Sequence, residues 1–202
     1  MGPSGNNSAL PLSVVTAKED VPPAEPQEVK PTTFFVRQGE PPYHAITRWL
    51  GERAFHQAAF SFDDEQKAQL MQPSEKALNF TGTLPESVVA LGEQLSVPLA
   101  FDMRGGIAAI HTFEGAVDIR WVKGASLKAA TARLAQEYDW RWQEQGAQPS
   151  WLSHNDYPLM SEYGIVTPHG AFDVALGTLL EGYPVQAQLI PSSRTLFIVE
   201  RE

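Results

Sequence analysis

Three stretches of this chain repeat one pattern of apolar residues, and that repetition narrows the folds open to it more than any other feature. "FTGTLPESVVALGEQLSVPLAF" (80–101), "VKGASLKAATARLAQEYDWRW" (122–142) and "TPHGAFDVALGTLLEGYPVQAQL" (167–189) align so that Leu84, Leu127 and Phe172 share a position. Four residues on stand Val88, Thr131 and Leu176; seven on, Leu91, Leu134 and Leu179; eleven on, Leu95, Tyr138 and Tyr183. Positions i, i+4, i+7 and i+11 lie on one face of a helix. Further along, Val97 and Leu99, Trp140 and Trp142, and Val185 and Ala187 alternate as on a strand with one buried face. Each unit therefore reads as a turn, a helix of about three turns and a strand. Gly82, Gly124 and Gly170 stand just before the helices, and Thr83 and Ser126 are placed to cap the first two. A short strand precedes each unit, at 77–80, 117–122 and 163–166, and "VQAQLI" with "RTLFIV" closes the last as a hairpin.

Equivalent helix positions are 43 and 45 residues apart. A solenoid has such periods, but the linkers 102–116 and 143–162 are long and dissimilar, and strand content is high. Two adjacent βαβ units instead make a small mixed sheet with both helices on one face. The expected fold is thus α+β: such a domain over 76–153, and a β-α-β-β unit over 154–202. Upstream, Ile46, Trp49, Leu50 and Arg53 follow helical spacing, and "SFDDEQKAQLM" places acids early and Lys67 late, as a helix dipole prefers. Residues 43–75 are accordingly expected to be helical, with Trp49 and Phe60 on one stripe. Eight of the 16 prolines lie in the first 42 residues, which reads as a flexible or extended arm.

Charge and composition exclude several roles. A net charge of −9 and pI near 5.0 oppose a nucleic-acid surface, which needs clustered Lys and Arg. No apolar run approaches the roughly 18 residues of a membrane span. The sequence contains no cysteine, so disulfides, thiolate metal sites and Cys nucleophiles are out of reach. "MGPSGNNSAL" lacks the basic and apolar regions of a signal peptide.

Candidate chemistry is sparse. His44, His56, His111, His154 and His169 show no metal-ligand spacing. "MRGGIAAIH" (103–111) lacks a phosphate-binding pattern and reads as a hairpin turn. A hydrolase using Asp102, Asp118 or His154 would need a nucleophile motif that the sequence does not contain. No catalytic, cofactor-binding or metal-ligating residues are therefore expected. The expected partner interface comprises Phe34, Phe35 and Val36, which could add as a strand to a neighbour, and the aromatics Trp49 and Trp151. Trp140 and Trp142 read as core. A peptide- or peptidoglycan-binding module using Trp151 and His154 is the alternative.

Two parts of the chain resemble known families. The strand and helix order across 77–152, and "VDIRWVKGASLKAATARLAQEYDWRW" within it, resembles the secretin N-terminal domain. That fold is shared with the signalling domain of TonB-dependent receptors and with an outer-membrane lipoprotein of Dot/Icm-type secretion systems. "GIVTPHGAFDVALGTLLEGYPVQAQLIPSSRTLFIVE" (164–200) is similar to the toxin-coregulated-pilus biosynthesis Q family, in its F-x-x-A-L-x-x-L-L helix and S-R-T-L-x-I strand. The resemblance implies a non-enzymatic accessory protein, periplasmic and associated with the outer membrane. It would serve a type IV pilus, or a type IV secretion or conjugation apparatus, assembling with a secretin-like ring as a homo- or hetero-oligomer. It implies contact with the membrane only through a lipid anchor, whose cysteine would precede this chain.

Overall fold

A computed structural model describes residues 32–201. They begin with β1 (Thr32–Val36), α1 (Pro42–Glu52), β2 (Gln57–Ser61), α2 (Asp64–Leu70), β3 (Leu78–Gly82), α3 (Leu84–Leu95), β4 (Ala100–Arg104) and β5 (Ile107–His111). They continue with β6 (Val117–Val122), α4 (Leu127–Glu137), β7 (Tyr163–Pro168), α5 (Phe172–Leu180), β8 (Val185–Ile190) and β9 (Thr195–Glu200). The fold is α+β. The expected arm at residues 1–31 lies outside the described residues, while residues 32–42 belong to β1 and the start of α1.

Leu84, Leu127 and Phe172, aligned from apolar spacing alone, are the first residues of α3, α4 and α5. The residues four and seven further on are buried in all three helices. Thr83 and Ser126 cap as expected, accepting from the backbone N–H groups of Glu86 and Ala129. A fourth copy precedes these three. Helix α1 starts at Pro42, and Ile46 and Trp49 occupy its i+4 and i+7 positions, both fully buried. Proline suits that first slot, where its missing N–H would have no helical partner.

The expected helical segment 43–75 is corrected by β2. "QAAFS" is a strand at the centre of a five-stranded sheet of order β4-β5-β2-β7-β6. Its Ala-rich sequence favours a helix locally. Tertiary pairing on both edges overrides that preference, and Phe60 faces inward beside Tyr43, ring centroids 5.0 Å apart.

Strand pairing also replaces the grouping 76–153 and 154–202. In residues 32–111, β1 pairs antiparallel with β3, β4 with β5, and β2 parallel with β5. In residues 117–200, β6 pairs antiparallel with β7 and β8 with β9, while Arg141 and Trp151 bridge in parallel to Thr195 and Ile198. The two halves therefore share one plan, β-α-β-β-α-β-β, with α2 as an addition to the first and with the isolated bridges at Arg141 and Trp151 in the place of β2 in the second. Units one and two combine, as do three and four. Each half has its own core, one around Trp49, Ile46, Val88 and Leu91, the other around Leu127, Phe172, Leu179 and Ile198.

The halves join where β2 runs parallel to β7, with Ala59 opposite Gly164. A Cβ at residue 164 would lie 2.7 Å from the Ala59 Cβ and 2.8 Å from the Ala58 carbonyl oxygen, so only glycine fits. The sheet curls over this junction. Ala59, Ile107 and Ala109 from the first half pack against Ile119 and Val166 from the second.

Candidate partner interface

Four of the five residues expected to meet a partner are taken by the protein's own core. Phe34, Val36 and Trp49 are buried in the first half and Trp151 in the second. Trp49 packs edge-on against Phe34 (5.4 Å) and Phe80 (6.0 Å), and its indole N–H donates to the Phe35 carbonyl oxygen. The Trp151 indole N–H donates to the Asn155 carbonyl oxygen (3.0 Å). These placements correct the expectation for Phe34, Val36, Trp49 and Trp151. They also remove the aromatic platform from the peptidoglycan-binding alternative, although His154 beside it is exposed.

Phe35 is the exception. Strand alternation turns it outward between Phe34 and Val36, and it is 38% exposed. Its surroundings are built. Arg48 Nη2 donates to the Phe35 carbonyl oxygen (2.7 Å), and the guanidinium groups of Arg48 and Arg37 lie 4.9 and 5.7 Å from the Phe35 ring. Arg48 is itself held by Glu40 (2.9 Å) and Glu52 (3.2 Å). The Arg48 hydrogen bond keeps the Glu40 carboxyl below its ordinary range despite burial, and Glu40 in turn raises Arg48. A clamped aromatic of this kind loses little conformational freedom on meeting a partner.

A second exposed feature escaped the sequence reading. The outer face of the β8–β9 hairpin and the loop after residue 143 enclose a groove of about 460 Å³, lined by Gln148, Leu152, Gln188, Ile190, Thr195 and Phe197. Leu152 and Ile190 are 47% and 43% exposed. The available signal was apolar residues in both phases of one strand: Leu196 and Ile198 point inward, and Phe197 between them points out.

Of the titratable residues considered for hydrolysis, Asp102 and Asp118 are held by partners in the fold. His111 is buried, and its Nδ1 accepts the Phe113 backbone N–H (3.2 Å). Nε2 therefore carries the proton and donates to Asp102 (2.9 Å), so both ring nitrogens are committed. Asp118 is buried on β6 and joins the halves. It accepts from the Gly170 N–H (2.7 Å) and lies 3.3 Å from His169 Nδ1, 3.5 Å from Arg120 and 3.6 Å from Arg104 of the other half. Burial raises its pKa, but the Gly170 and His169 hydrogen bonds and the Arg120 charge outweigh burial and hold it below the ordinary value. His154 lies apart from both groups, 3.8 Å from Glu200.

No family model, curated protein or solved structure matches this chain.

Proposed function

We propose that this chain is a non-enzymatic assembly subunit of a type IV pilus, or of a type IV secretion or conjugation apparatus. It works in the periplasm at the outer membrane, beside a secretin-like ring. One observation carries this reading. The β-α-β-β-α-β-β order that the sequence resemblance implies for a single secretin N-terminal-like domain occurs at 32–111, and recurs at 117–200 with two isolated bridges, at Arg141 and Trp151, in the place of its second strand. Compact modules with outward sheet ribbons suit the building of rings and stacks, because association there needs preformed surfaces and no reactive group. The β1–β3 ribbon with its clamped Phe35 is one such surface. The resemblance of 164–200 to the pilus biosynthesis Q family points to the same machinery.

Affinity isolation of the full-length chain from envelope fractions of its native cells tests this. Recovery with a secretin and other pilus or conjugation components is expected. A chain found in the cytosol, with no envelope component bound, would sink the proposal.

A further inference from the structure

Each half carries a two-stranded ribbon, β1–β3 or β6–β7, and a hairpin, β4–β5 or β8–β9, whose outer face turns away from that half's helices. In the first half that face is covered. Ala59, Ile107 and Ala109 lie beneath Ile119 and Val166 of the β6–β7 ribbon, with Trp121 at the margin. The shared plan identifies the counterparts. Leu196 and Ile198 face their core as Ala108 and Ile110 do, so Thr195 and Phe197 take the places of Ile107 and Ala109. Val36 and Val122 are each the core-facing residue that ends the ribbon strand before its helix, so Phe35 takes the place of Trp121. Across the ribbons, Phe35 stands opposite Asn79 as Trp121 stands opposite Gly164. Among the described residues there is thus one ribbon-on-hairpin contact, made internally, and the ribbon of the first half and the hairpin face of the last half are left uncovered.

We propose that the chain associates head to tail. The β1–β3 ribbon of one copy seats on the outer face of β8–β9 in the next, and Phe35 enters the groove between Leu152, Ile190 and Phe197. The groove of about 460 Å³ accommodates an aromatic side chain. The chemistry of the two free faces fits a contact between separately folded copies. The internal contact is made by aliphatic side chains. The free ribbon instead presents exposed Thr33, Asn79 and Thr81 around Phe35, and the groove carries Gln188 and Thr195 around its apolar centre. An apolar centre with a polar rim is the anatomy of such interfaces.

The loop after residue 143 decides how the ribbon seats. Pairing of Trp151 with Ile198, as Phe60 pairs with Ile110, puts Ser150 in the place of Ala59. The Ser150 N–H donates to the Gln143 carbonyl oxygen (2.8 Å), and the Gln143 N–H donates to Ser150 Oγ (3.0 Å). The loop closed by these bonds interrupts the strand at the position through which β2 pairs with β7. The incoming ribbon therefore packs by its face without extending the sheet, and it tolerates Asn79 where the internal junction requires Gly164. Because the two surfaces differ, the contact is heterologous and generates rings or open chains.

Sedimentation of the full-length chain and of two charge variants at exposed positions, Phe35→Glu and Ile190→Glu, tests this. The mass of the wild type is expected to rise with concentration. Each variant alone should self-associate about tenfold more weakly or worse, with an unchanged circular dichroism spectrum. An equimolar mixture of the two should form dimers and nothing larger, since it contains one intact ribbon and one intact groove. The natural absence of cysteine permits a second measurement. Phe35→Cys combined with Ile190→Cys should oxidise to a disulfide-linked ladder that either single variant cannot form. A wild type that remains monomeric up to about 1 mM, association that survives both Glu variants, or a mixture that does not pair would overturn the proposal. Head-to-tail association stands apart from any role beside a secretin ring, which the isolation experiment addresses separately.

Discussion

Phe34, Phe35 and Val36 are adjacent and apolar, yet their surroundings differ because a strand sends alternate side chains to opposite faces. Phe34 and Val36 complete a core with Trp49, while Phe35 lies under two guanidinium groups at the surface. Trp49→Ala is therefore expected to cost about 3–5 kcal/mol, and Phe35→Ala only about 0.5–1 kcal/mol, in urea unfolding of the full chain. Equal losses would contradict the placement of these two rings. Asp118 carries a different prediction. Its folded pKa lies below the ordinary 3.8, so its contribution is complete above that value and is lost as pH falls through the lower folded value. Stability measured against pH should drop in that acid window for the wild type, and less for Asp118→Asn. Identical profiles would show that the Asp118 cluster does not couple to folding.

Among the elements, β2 does the most to organise the molecule. Its five residues are the last strand of the first βαβ unit and also the seam between halves. The seam depends on close backbone approach at Gly164, and that makes it testable. Gly164→Val forces a side chain against Ala59 and the Ala58 carbonyl. A loss of about 1–3 kcal/mol is expected, with amide exchange accelerated in β2 and β7 and less affected in α5 and β9. Unchanged exchange in β2 would remove the steric argument. The helices were much more legible. Apolar residues at i, i+4 and i+7 located the starts and buried faces of α3, α4 and α5, and capping side chains fixed two of the starts, but Tyr138 and Tyr183, expected at i+11, lie beyond the ends of α4 and α5.

At the scale of the whole molecule, four β-α-β units combine as two pairs. The helix starts at 42, 84, 127 and 172 preserve a nearly constant spacing of 42, 43 and 45 residues, which makes the duplication visible along the chain. With only the last three units recognised, the second and third appeared to form a domain. Addition of the first unit shifts every pairing by one. The candidate interface moved for a related reason. Trp49 and Trp151, large aromatics suited to a partner interface, each fill the core of their half instead. Among the described residues, what remains outside is Phe35 on the first half and the β8–β9 groove on the last, and their uncovered state follows from the order of the halves.

Local periodicity, capping residues and turn glycines were enough to establish an α+β chain, its three main amphipathic helices and their buried faces, because these depend on residues within a few positions of one another. The identity of β2 as a strand, the pairing of units one with two and three with four, and the burial of Trp49 and Trp151 were decided only in the tertiary structure. The strand and its seam rest on partners distant along the chain, such as Gly164 for Ala59, and a short Ala-rich strand has no preference of its own strong enough to announce such a partner.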